Sequence, residues 1–312
     1  MFNRPGSLCV RIVPFAIIAI TSAASAADPF ATAPKPAESF DTGMLHVDKF
    51  GAGKQTLILI PGLGSGPWVW FETIAKFSHT NTIYVLTLPG FDGRPATDEK
   101  QLFAAFSHDV WAMIEAHKIE KPVLIGHSLG GALAIALAEE HPERLAGIIA
   151  VDGLPVFPML ANATPEQREA AAKQMGGMFA SMSAEASFAA QKSYMSTVGT
   201  NKPELVEPIA KLQARSDPKA MGAWMQELFV RDLRPELKKI TIPFIEIMPH
   251  DPADAKGPMG QTQEQQLALY KSLVEGAPKG SVVAITPARH FVMLDQPEAF
   301  HKAISEFLAS IP

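Results

Sequence analysis

Six short runs of aliphatic and β-branched residues recur along the chain, and each stops at a turn residue. Residues 56–60 stop at Pro61-Gly62, 82–88 at Pro89-Gly90, 122–125 at Gly126, 146–151 at Asp152-Gly153, 242–248 at Pro249 and 281–286 at Pro287. Runs so continuously apolar need cover on both sides, and a mainly parallel sheet between two helical layers provides it. Helical patterns at 102–117, 130–140, 264–275 and 298–309 supply the crossovers. The expected fold is α/β: a mainly parallel, doubly wound sheet. Residues 44–50 are read as an added antiparallel edge strand.

The alternation breaks between residues 155 and 234. This stretch is rich in Ala, Glu, Gln, Lys and Met, has helical spacing and contains no strand pattern. It reads as a helical cap inserted into a core formed by residues 44–154 and 235–312. Seven of the 13 methionines fall in it. Methionine is flexible and adapts to irregular apolar ligands. Met175 and Met178 are therefore candidate pocket walls, together with Trp68, Trp70 and His127 of the core.

The N-terminus reads as an address. Arg4 and Arg11 precede and enter an apolar stretch at 12–20, and Ala24-Ser25-Ala26 follows at the spacing a signal peptidase recognises. A bilayer span needs about 20 mainly apolar residues, more than this segment offers. Residues 1–26 are thus expected to be cleaved, giving a secreted or periplasmic protein with no stable membrane span. Residues 27–43, rich in Pro and Ala, read as a linker.

Several function classes are disfavoured. The net charge of −5 argues against nucleic acid as a partner. The one cysteine, Cys9, lies in the leader, and no His-Glu-x-x-His motif occurs, so no metal site is expected. Gly62, Gly64 and Gly66 lack the dinucleotide spacing, and Asp48 stands where a phosphate loop ending in Gly53-Lys54 needs its first glycine. No cofactor is expected.

Gly126-His127-Ser128-Leu129-Gly130 lies directly between a strand and a helix. A serine in so sharp a turn is held in a strained backbone conformation, and small flanking residues let the chain make it. Its hydroxyl projects above the sheet edge, where the helix N-terminus favours developing negative charge. A plain helix N-cap would account for Ser128 but not for the glycines. His290 follows the last strand at the same sheet edge and is the candidate base.

With these motifs the chain resembles the α/β-hydrolase superfamily, in its capped, esterase-like branch, over roughly residues 45–310. Residues 60–66 resemble the family's oxyanion loop, with Pro61-Gly62 where His-Gly is usual. Leu88-Pro89-Gly90-Phe91 resembles its Asp-x-Pro-Gly-Phe-Gly segment, with Thr87 and Asp92 at the variant positions. Residues 288–300 resemble the catalytic-histidine loop and the helix after it.

The resemblance implies Ser128 as nucleophile, His290 as base, and the backbone amides of Leu63 and Leu129 as oxyanion hole. It places the acid at Asp251, after the fifth strand, although Pro249-His250 replaces the glycine usual in that turn. Asp254 and Asp152 are the alternatives. The implied activity is cleavage of a small ester through an acyl-enzyme. Lactone or amide hydrolysis, acyl transfer and cofactor-free peroxidase-like chemistry would use the same triad, and a non-catalytic binding protein of the same fold is the reading from another class.

Overall fold

The computed structural model describes residue 30, residues 32–256 and residues 260–311. The signal segment expected at 1–26 lies outside the described residues. In chain order the core begins with β1 (Glu38–Thr42), β2 (Leu45–Phe50) and β3 (Gln55–Ile60). Then come α1 (Phe71–Phe77), β4 (Asn81–Thr87), α2 (Leu102–Ala116), β5 (Val123–His127), α3 (Leu129–Glu140) and β6 (Gly147–Val151). Four helices follow: α4 (Pro165–Ala180), α5 (Ala184–Tyr194), α6 (Pro203–Gln213) and α7 (Pro218–Val230). The core closes with β7 (Phe244–Pro249), α8 (Gln263–Val274), β8 (Gly280–Ile285), the single turn α9 (Val292–Asp295) and α10 (Pro297–Ser310).

The eight strands form one sheet in the order β1-β2-β4-β3-β5-β6-β7-β8. β1 and β2 are antiparallel additions; from β4 to β8 every pairing is parallel. The double cover is visible residue by residue. On β3, Leu57 and Leu59 face a core containing Trp70, Phe291 and Phe300, whereas Ile58 and Ile60 face one containing Phe106, Leu133 and Trp224. All four are fully buried, which is why the strand reads as an unbroken apolar run.

Two elements differ from the sequence expectation. Residues 38–42, read as part of a linker, form the edge strand β1, paired from Glu38 opposite Lys49 to Thr42 opposite Leu45. Its residues are largely exposed, so burial leaves no apolar pattern to read. The short α1 also had no expected counterpart.

Topology fixes where a ligand can sit. The chain passes from β3 to β4 on one side and from β4 to β5 on the other, so the winding reverses between β3 and β5. Crevices open at the carboxyl ends of strands at such a switch point, and Ser128 follows β5 there.

The segment between β6 and β7 stands over that edge. α4 begins at a capping box, in which the Thr164 hydroxyl accepts from the Gln167 N–H and the Gln167 side chain accepts from the Thr164 N–H, and it packs along α7. The two ends of the segment are tied together. Val156 bridges Asp232, and the Leu233 N–H donates to the Pro155 carbonyl at 2.8 Å. Asp232 then accepts from Arg234 and Arg168, each at 2.8 Å, and the hydrogen bond from Arg234 holds its carboxyl below the ordinary range. Among the described residues no helix is long and apolar enough to cross a membrane.

Candidate active site

Ser128 sits between β5 and α3 with φ 54° and ψ −119°. An L-residue avoids this region unless its surroundings force it. Here the force is close packing. A β-carbon at Gly126 would fall 2.0 Å from the Gly130 carbonyl oxygen, and one at Gly130 would fall 2.2 Å from the Ile60 oxygen. Only glycine lets the three backbones meet. Leu129 opens α3, where the first amides have no intrahelical acceptor. The loop after β3 closes on the serine from above: a β-carbon at Gly62 would stand 3.0 Å from Ser128 Cβ.

His290 lies in the loop after β8. Its Nδ1–H donates to Asp152 Oδ2 at 2.6 Å. Asp152 follows β6, has φ 48° and anchors its own N–H on the Ile247 carbonyl. The other carboxylate oxygen accepts a hydrogen bond from the Tyr270 hydroxyl. Burial alone would raise this carboxyl, but the hydrogen bond and charge of His290 and the Tyr270 hydroxyl outweigh it and hold it below the usual carboxylate range. The Tyr270 phenol, buried against a carboxylate, is pushed well above its ordinary value.

The acid expected at Asp251 is a point of correction, since the carboxylate on His290 is that of Asp152. β7 runs on through Pro249 in place of a glycine turn, and the His250 N–H continues the pairing onto Ile285. Asp251 is thereby carried to Arg289, 3.5 Å from Nε, and accepts the Ala253 N–H at 3.0 Å. Asp254, the other alternative, takes the Arg289 fork at 2.9 and 2.5 Å. Both carboxylates are engaged in holding the loop before His290.

His127 is fully enclosed. Its Nε2–H donates to the His290 carbonyl at 3.0 Å, its ring centroid lies 4.5 Å from that of His290, and its Nδ1 has no partner. Burial, and then the nearby His290, drive it down to about 3, so it stays neutral and braces the loop backbone.

Ser128, His290 and Asp152 open onto one cavity of about 540 Å³, with Leu63, His127, Met175 and Met178 also in its wall. Trp68 and Trp70, expected as pocket walls, are buried elsewhere: Trp68 stacks on Phe291 with centroids 6.1 Å apart, and Trp70 on Phe300 at 6.2 Å. Tyr194, which sequence reasoning passed over, sets its ring edge-on to His290 at 5.9 Å.

The turn between α6 and α7 grips the loop after β3. Gln213 Nε2 donates to the Leu63 carbonyl at 3.4 Å, and Ser216 Oγ donates to the Gly64 carbonyl at 2.9 Å. Ser216 Oγ also accepts the Asp92 N–H, and the Asp217 N–H donates to the Gly90 carbonyl.

Glu246 is a second residue that sequence reasoning missed. It is fully buried on β7, beside Asp152, and its Oε1 accepts the Gly153 N–H at 3.1 Å. Burial raises its carboxyl well above the ordinary range, which favours the neutral acid. An acid inside an otherwise apolar strand run was the available signal, since such a group must be neutralised or paired. Glu246→Gln, which keeps shape and neutrality, is therefore expected to stay within about 1 kcal/mol of the parent in stability and within a few-fold in ester turnover. Thermal unfolding and kcat/KM would check this, and a large loss in either would show that the carboxylate is ionised.

A strained serine at the switch point of a doubly wound sheet, beneath a helical insertion, is the architecture of a hydrolase built around a nucleophile elbow. Residues 57–303 match the model of the alpha/beta hydrolase family, and the chain belongs to it. A pimeloyl-[acyl-carrier protein] methyl ester esterase of Edwardsiella ictaluri is 25% identical over 268 residues, covering 82% of this chain and 94% of that protein. Among solved structures, the enol-lactonase of Burkholderia xenovorans LB400 superposes with TM-score 0.68 at 18% identity, over 88% of this chain and 100% of its own. A thermophilic esterase from Thermogutta terrifontis does so with TM-score 0.67 at 22% identity, over 88% and 98%. At these identities the solved structures speak for the fold alone.

Proposed function

We propose that the chain is a serine hydrolase that cleaves a carboxylic ester through an acyl-enzyme, with Ser128, His290 and Asp152 as its triad. The observation that carries this reading is the 2.6 Å bond from His290 Nδ1 to Asp152, in the cavity that the left-handed Ser128 also lines. Because Asp152 occupies Nδ1, Nε2 is the ring nitrogen left to exchange protons. Ser128 Oγ attacks the ester carbonyl while Nε2 takes its proton. The amides of Leu63 and Leu129 hold the oxyanion, and Asp152 stabilises the imidazolium. Collapse expels the alcohol, which leaves with that proton. Water then attacks the acyl carbon, with His290 again as base, and releases the carboxylic acid and free Ser128. The curated relative named as a methyl ester esterase supports esters as the substrate class. The leader pattern in residues 1–26 supports action outside the cytoplasm.

A fluorophosphonate should label the protein once, on the peptide containing Ser128, and abolish hydrolysis of an aryl ester in proportion. Labelling at another residue, or activity surviving full labelling, would overturn the assignment.

A further inference from the structure

The cavity beside Ser128 is built for something without charge. Its apolar wall includes Leu154, Val156, Phe179, Met225, Leu228 and Phe229, drawn from the loop after β6 and from α4 and α7. Among its described lining residues there is no Lys, Arg or Glu. The one carboxylate, Asp152, already serves His290 and Tyr270. Apart from the reacting Ser128 and His290, the remaining polar groups are neutral. They are the amides of Gln191 and Gln213, the Tyr194 phenol and the enclosed His127. Two of them offer buried lone pairs with no partner, Gln213 Oε1 and His127 Nδ1. An anion entering here would find only neutral amide and phenol donors, beside a fixed negative charge at Asp152 and with no Lys or Arg to pair it. The mouth is also apolar: Met178 and Val198 line the cavity and are each 46% exposed.

Resting on the serine-hydrolase reading, we infer that the substrate moiety held in this cavity is an uncharged apolar group, aliphatic or aryl, several carbons long. A volume of about 540 Å³ far exceeds what an acetyl or methyl group would fill, and a short group would leave apolar wall wet. A carboxylate on the far end must shed its water with no Lys or Arg to pair it, and an ammonium finds only neutral acceptors, because Asp152 is committed to His290 and Tyr270; both are costly. The methionines give the wall the freedom to close on chains of differing shape.

That moiety belongs either to the acid or to the alcohol of the ester, and two series separate these sources. The acyl series compares methyl octanoate with monomethyl suberate and methyl 8-aminooctanoate, which match it in length but carry a charge. The alkyl series compares octyl acetate with the acetate ester of 8-hydroxyoctanoate. In the series that enters the cavity, the neutral ester should exceed each charged partner by at least about a hundredfold in kcat/KM, and should exceed methyl acetate by at least about tenfold. Equal turnover of neutral and charged members in both series, or methyl acetate as the best substrate, would overturn the inference while leaving the hydrolase reading intact. Failure to turn over any ester, with no phosphonate labelling of Ser128, would overturn the hydrolase reading itself.

Discussion

Ser128→Ala is expected to lower kcat for an activated ester by about 10⁶-fold, the scale of loss when a triad nucleophile is removed. No neighbouring group can take over the attack. His127 is enclosed and held neutral by burial, and the hydroxyls of Ser65 and Ser216 are buried in the loops that brace the oxyanion segment. The variant should fold as the parent does, because alanine meets the same backbone constraint at φ 54° and loses only the hydroxyl. Thermal unfolding alongside single-turnover kinetics would separate the two effects. A fall in kcat of less than about 10³-fold would mean that bond cleavage does not pass through this serine.

The second large effect separates two aspartates. Asp152→Asn should cost about 10⁴-fold in kcat, because an asparagine can present its amide N–H to the imidazole and stabilise the wrong tautomer. Asp251→Asn should leave kcat within a few-fold, since its carboxylate lies against Arg289 and the Ala253 amide. The comparison is internally controlled: both are single-atom exchanges at the ends of neighbouring strands. The reverse ranking would move the acid back to the end of β7.

Local text was enough to single out Ser128 and His290, which the fold brings to one cavity. Gly126 and Gly130 flank Ser128 because adjacent backbones touch there, and that requirement is written into five consecutive residues. The strands were legible because both faces of the sheet are buried, as at Leu57–Ile60. The acid was not legible in the same way. Whether Asp152 or Asp251 reaches His290 depends on where each strand end lies in space, and on β7 continuing through Pro249. Tyr270, the second partner of Asp152, comes from the buried face of α8, which it shares with Leu273 and Val274. Trp68 and Trp70 were misplaced for a related reason. A large aromatic beside the oxyanion loop looks like a pocket wall until Phe291 and Phe300 are seen stacked on it. Strand β1, whose side chains are mostly exposed, is held by main-chain pairing and contacts such as Ser39 to Asp48, which leave no hydrophobic rhythm.

The grip of Gln213 and Ser216 on successive carbonyls, Leu63 and Gly64, bears on how such an enzyme can be altered. The amide assigned to the oxyanion belongs to Leu63, so the two peptide units that directly follow it are steadied from the inserted helices. Specificity and turnover are then not separable modules. A foreign helical segment grafted between β6 and β7 could bring a new pocket and still leave the loop unsteadied, unless it also supplied donors at these two positions. Changes confined to α4, by contrast, can reshape the pocket without touching the turn that holds the loop. The same enzyme thus has one stretch open to variation and another committed to the chemistry, both within one insertion.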